Sequence, residues 1–205
     1  MKTNLHIHAF LLSCLLALAP LLVSCGGSDS SSDNEEFTEG LSAEEIDDLL
    51  YMREEEKLAR DVYIKLYEEW GTPVFNNISN AERRHMDTML TMIEKYQLRD
   101  PVTDNSVGAF TDAGLSNLYH ELVAKGYTSL LAALYVGALI EEIDILDLRE
   151  AIKESDHNDL IQAYENLMKG SESHLRAFVA QIEGQGDDYE AQRMSQADVD
   201  AILNE

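Results

Sequence analysis

The chain has 205 residues, of which 15 are Lys or Arg and 39 are Asp or Glu, for a formal charge of −24. That balance excludes nucleic acid as a partner and argues against an anionic lipid surface, because both need a basic face that displaces counterions. Length and a hydrophobic content of 45% suit one globular domain with a sizeable core.

Residues 1–24 read as a signal peptide. Lys2 precedes an apolar run over residues 9–19, too short to span a bilayer, and the run leads into Leu22-Val23-Ser24-Cys25. That string resembles the lipobox of bacterial lipoproteins, whose cysteine is acylated and cut on its N-terminal side. The resemblance implies lipid on Cys25, a flexible tether over residues 25–40 and a membrane-anchored protein of the cell envelope. Gly26 after the cysteine favours the outer membrane if the cell is diderm. Cys14 leaves with the signal, so any metal in the mature domain, residues 41–205, must be held by carboxylate, imidazole or hydroxyl groups.

Ser42-Ala43-Glu44-Glu45 is a capping box opening a long helix over about residues 43–70, with Gly71 as its stop. Its seam is Leu49, Met52, Glu56, Ala59, Tyr63, Leu66 and Trp70, so Glu56 is the one charge on it and Glu54 and Glu55 are expected to face outward. Pro73 suits the first turn of a second helix reaching Gln97, whose seam of Phe75, Ile78, Glu82, His85, Met89, Met92 and Tyr96 carries a carboxylate and an imidazole one turn apart. The Met52, Met86, Met89 and Met92 group reads as core filler. After an aperiodic loop, Thr111 is the expected cap of an accessory helix ending at Gly126, with His120 on or near its surface. A third long helix over residues 128–154 carries Glu141 on its seam and Asp144 one turn on, with Glu142 displaced by about 100°. The fourth, over residues 158–183, carries Ser171 and His174; His157, just before it, reads as surface. Ser195 caps a short tail over residues 194–203. The fold expected is all-α: an antiparallel four-helix bundle with an extra crossover helix and a short C-terminal helix.

A charged side chain on a bundle seam costs several kcal/mol unless it is paired or binds a metal. Here each long helix has one polar interruption, and the set is Glu56, Glu82 with His85, Glu141 with Asp144, and Ser171 with His174. Carboxylate-bridged di-iron bundles use one Glu from each of two helices and Glu-x-x-His from each of the other two. The chain meets that rule except at the last carboxylate, where Ser171 stands.

The stretches Glu56-Lys57-Leu58-Ala59-Arg60-Asp61-Val62-Tyr63 and Ala81-Glu82-Arg83-Arg84-His85 resemble the first two metal helices of rubrerythrin, in the ferritin-like superfamily. With Tyr51-Met52-Arg53-Glu54-Glu55, Ile140-Glu141-Glu142-Ile143-Asp144-Ile145 and Lys169-Gly170-Ser171-Glu172-Ser173-His174, residues 41–179 look like the bacterial and archaeal domain of unknown function 2202, itself ferritin-like. The resemblance implies two metal ions, iron or manganese, and a di-iron oxidoreductase that oxidises Fe(II) or reduces peroxide or oxygen. Glu82 and Glu141 are then expected to bridge, Glu56 and Asp144 to be terminal, and His85 and His174 to sit one on each metal. Tyr63, Ser171 and Glu142 are candidates for the surrounding shell, with core packing the alternative for Tyr63. Asp144 is either a ligand, in which case Asp144→Asn lowers the metal stoichiometry, or an acceptor for a ligating histidine. Expected partners are metal ions, the membrane through Cys25, a second copy in a homodimer and, for a peroxidase, an external electron donor. Two other classes stay open: a lipoprotein that sequesters or senses metal without turnover, and a metal-free envelope scaffold.

Overall fold

The computed structural model describes residues 40–204; the signal peptide, Cys25 and nearly all of the expected tether lie outside the described residues. Six helices account for the described chain, in the order α1 (Ala43–Trp70), α2 (Pro73–Lys95), α3 (Ala113–Gly126), α4 (Leu130–Glu154), α5 (Asn158–Gly184) and α6 (Gln196–Leu203). No strand occurs among these residues, and none of their helices is long and apolar enough to cross a membrane.

Most ends follow from local chemistry. The Ser42 hydroxyl accepts from the Glu45 amide at 3.1 Å, while Glu45 Oε2 accepts from the Ser42 amide at 2.9 Å, a reciprocal cap worth about 1 kcal/mol. Gly71, at φ +64°, takes the left-handed turn that ends α1. Two ends differ from expectation. α2 stops at Lys95 rather than Gln97, because Gln97 itself turns left-handed at φ 56° and lets the Leu98 amide bond to the Ile93 carbonyl at 2.9 Å. α3 is capped by Asp112, which accepts from the Leu115 amide at 2.8 Å, and not by Thr111, whose amide is taken by Glu54. A carboxylate from α1 has outbid the local cap.

α1 packs along α2 and α4 along α5, with further contacts of α1 to α4 and of α2 to α5. Two apolar clusters fill the interior. One is built on Leu58, Val62, Leu66, Phe75, Ile78, Leu134, Ala138, Leu175 and Phe178, the other on Leu49, Met52, Met89, Ile93, Leu148, Leu160, Tyr164 and Leu167. Along α1, α2 and α5, Glu56, Glu82 and Ser171 fall between the two clusters, whereas Glu141 on α4 is flanked by Ile140 and Ile145 of the first.

One face of α1 is covered by the connection from α2 to α3, which buries a row of charges that composition alone assigns to solvent. Arg53 donates to Asp100 at 3.1 and 3.2 Å and to the Met86 carbonyl at 2.8 Å. Lys57 donates to Asp61 at 2.6 Å and to the Ser106 carbonyl at 2.8 Å, under the Phe110 ring. Arg60 reaches Asn105, and Glu54 accepts from the Thr111 and Asp112 amides. The outward orientation expected of Glu54 and Glu55 is therefore corrected: both are buried, Glu54 as the acceptor that ties this connection to α1.

Candidate metal centre

Glu56 on α1, Glu82 and His85 on α2, Glu141 and Asp144 on α4 and His174 on α5 meet at one level. The carboxylates are buried, and the two imidazoles, whose side chains are 14% and 12% exposed, close the group with ring centroids 5.5 Å apart. His85 Nδ1 lies 2.7 Å from Glu82 Oε2 and 3.3 Å from Glu56 Oε2. His174 Nδ1 lies 2.8 Å from Glu82 Oε1 and 3.4 Å from Glu141 Oε2.

These donors fall into two three-residue groups, Glu56 with Glu82 and His85, and Glu82 with Glu141 and His174, each with its ligand atoms within 4.8 Å of one another. Glu82 belongs to both. Glu141 belongs to one group only. Asp144 stands outside both groups and accepts a short hydrogen bond from the Ser171 hydroxyl. The Tyr63 hydroxyl donates to Glu141 Oε1 at 2.5 Å, and its ring joins Phe75 and Phe178 in an apolar wall beside that carboxylate.

Glu142 is the clear correction. It is fully buried, but on another face of α4, where it accepts from the Tyr189 hydroxyl at 2.6 Å and from the amides of Gln192, Arg193 and Met194. It anchors the segment before α6 and takes no part in the centre. His157 is likewise not a plain surface residue: at the start of α5 its Nδ1 lies 2.7 Å from Glu45. His120 is exposed.

The donor set fits hard divalent cations. Oxygen from four carboxylates and nitrogen from two imidazoles suits iron or manganese and offers about −4 against the +4 of two ions. Among the described residues, Glu56 Oε1, Glu82 Oε1, Asp144 Oδ1 and His174 Nδ1 are buried without a hydrogen-bond partner. Glu82 Oε1 and His174 Nδ1 lie 2.8 Å apart but are not aligned as acceptor and donor. Each such orphan costs about 1–3 kcal/mol if nothing binds it. Burial works against the imidazolium forms, but Glu56 and Glu82 push His85 up to about 12, and Glu141 and Glu82 push His174 up to about 10. Burial raises Glu56 to about 7 against the pull of His85, whereas Glu82, between both histidines, is held down at about 2 despite its burial.

Residues 45–205 match the family model described as an uncharacterized protein domain, DUF2202. The chain belongs to that family. It is 45% identical over 164 residues to the uncharacterized protein MJ0754 of Methanocaldococcus jannaschii, covering 80% of this chain and 89% of that protein. The crystal structure of hypothetical protein MJ0754 from the same archaeon superposes with a TM-score of 0.80 at 43% identity, covering 86% of this chain and 98% of that one. For a DUF2202 chain the seam pattern located Glu56, Glu82, His85, Glu141 and His174, because each interrupts an apolar face. It missed Glu55, which lies off the seam yet is buried, and Gly170, which makes room for His85. The only signal for Glu55 was its place one turn beyond Tyr51 and two beyond Asp48 on a stripe of its own.

Proposed function

We propose that this chain is a ferritin-like protein in which α1, α2, α4 and α5 run alternately up and down and hold a carboxylate-bridged dinuclear metal site. The metal is iron, with manganese the other hard candidate, and the activity is oxidation of Fe(II) or reduction of peroxide or oxygen. The observation that carries this reading is the sharing of Glu82 between two buried three-ligand groups. The up-and-down arrangement is supported by the order of the apolar clusters, which Leu49 and Leu58 meet in one sense along α1 and Phe75 and Met89 meet in the reverse sense along α2.

Glu56 and His85 would hold one ion and Glu141 and His174 the other, with Glu82 between them and Asp144 within reach of the pair. Bound together, two iron ions each supply one electron to oxygen or peroxide. Tyr63 fixes one oxygen of Glu141, Ser171 fixes Asp144, and the rings of Tyr63, Phe75 and Phe178 keep water from that side. In this reading the chain is exported and anchored through acylated Cys25 in the cell envelope. Residues 1–205 hold no cysteine besides Cys14 and Cys25, so a peroxidase cycle draws electrons from an external donor.

A second reading has one observation in its favour. Two charged imidazoles already pair with the carboxylates, so the network could fix helix register without metal. Anaerobic titration of the full chain with Fe(II), followed by oxygen or peroxide, separates the readings. Close to two irons per chain and a fast near-ultraviolet absorbance rise are expected; binding without oxidation leaves a sequestering protein, and no binding leaves the scaffold.

A further inference from the structure

Beside the centre lies a second set of carboxylates that no ligand role accounts for. Glu55 on α1 is buried at 5% exposure, and the Asp147 carboxylate on α4 lies beside it. Glu55 Oε2 is buried with no hydrogen-bond partner, as is Asp144 Oδ1. The charges acting most strongly on Glu55 are Asp147, Asp144 and Glu56, all carboxylates. Those acting on Asp48, nearer the surface, are Glu154, Asp47, Asp147 and Glu150, again all carboxylates.

The spacing makes a path of these residues. Asp48, Tyr51 and Glu55 follow one stripe of α1, and Asp144, Asp147 and Glu154 one stripe of α4. Burial rises along the way, from exposed Glu154 through half-buried Asp48 and Asp147 to buried Glu55 and Asp144, and Asp144 in turn feels the charges of Glu56 and Glu141. A buried carboxylate whose charged neighbours are themselves carboxylates costs several kcal/mol, and a chain that retains one at Glu55 has a use for cations there.

We propose that Glu55 and Asp147 form an outer, transient site for a divalent cation, which passes by Asp144 from the surface between α1 and α4 to the centre. Two carboxylates with the remaining ligands drawn from solvent bind a hard cation weakly, and a transit site must be weak enough for the ion to leave. The inference rests on the centre being a metal site, and the experiment separates the two.

Co(II) is added to the full chain in a stopped-flow spectrometer, and its absorption bands give both a loading rate and a final amplitude. Glu55→Gln and Asp147→Asn are compared with wild type and with Glu121→Gln, an exposed residue of α3 that matches their change of charge. Loading should slow about tenfold or more in the first two variants, with final amplitude preserved, while Glu121→Gln loads as wild type. Thermal midpoints of both variants at or above wild type, as expected when a buried carboxylate is neutralised, show that they are folded. Wild-type rates in both variants mean that the pair merely shares a proton, and overturn the relay alone. Slowing no greater than in Glu121→Gln means that net charge acts, and a loss of amplitude along with rate puts the pair inside the centre; either overturns it. A wild-type chain that takes up no cobalt overturns the centre and the relay together.

Discussion

Gly170 shows how far the geometry of the centre depends on a residue without a side chain. A Cβ at this position would lie 2.6 Å from His85 Nε2 and 2.7 Å from Cε1. Helix propensity alone favours Gly170→Ala by up to about 1 kcal/mol, since α5 continues on both sides. The His85 ring can yield because it is the end of a side chain, but yielding pulls Nδ1 away from Glu56 and Glu82. Stability should therefore stay level or rise, while under the proposed dinuclear reading affinity for one metal ion falls by about tenfold to a hundredfold. Thermal melting of the metal-free chain and a metal titration read the two effects separately; an unaltered titration would show that His85 does not ligate.

At the scale of the element, the segment leading into α6 is tied to α4 through Glu142. That carboxylate accepts from three consecutive amides and from Tyr189, so Glu142→Gln replaces charge-assisted acceptors by a single neutral carbonyl. A loss of about 1–3 kcal/mol is expected, with faster hydrogen exchange at Gln192, Arg193 and Met194 and no change in metal stoichiometry. A fall in stoichiometry would return Glu142 to the centre. The same residue marks where sequence stops being legible. Helix periodicity separates faces, and so it found the seam residues and placed Glu142 off the seam. It carries nothing about which loop will cover an outer face. Glu54, Arg53, Lys57 and Arg60 read as solvated charge until the connection through Asp100, Asn105 and Ser106 folds over them. Helix ends were legible wherever the cap is local, as at Ser42 and Gly71, and missed at Thr111, where the partner is Glu54, 57 residues away.

For the whole molecule, an excess of acidic groups makes stability depend on pH through opposing contributions. Glu45 joins the start of α1 to the turn between α4 and α5. Burial alone would raise its carboxyl, but bonds from His157, the Ser42 amide, the Ser155 hydroxyl and the Asp156 amide hold it down from 4.5 to about 2. A depressed carboxylate contributes stability that is complete above its ordinary value of 4.5 and is lost as pH falls towards about 2. Asp48 is the opposite case: burial, then Glu154, Asp47, Asp147 and Glu150, push it from 3.8 up to about 6. Because the folded chain holds this proton more tightly than the unfolded one, stability is withdrawn as pH rises from about 4 through about 6. The two substitutions should therefore act in different windows. Glu45→Gln lowers the thermal midpoint at pH 7, and its deficit shrinks as pH falls from 4.5 towards 2, where the wild-type carboxylate is itself being protonated. Asp48→Asn raises the midpoint at pH 7 and leaves it unchanged near pH 4, where wild-type Asp48 already carries its proton in the folded state. Melting curves of the metal-free chain decide the matter, at about pH 2 to 3 against pH 7 for Glu45→Gln and at pH 4 against pH 7 for Asp48→Asn. A gain from Asp48→Asn that is equal at both would mean that the substitution acts through helix propensity, and that the carboxylates between α1 and α4 do not repel one another.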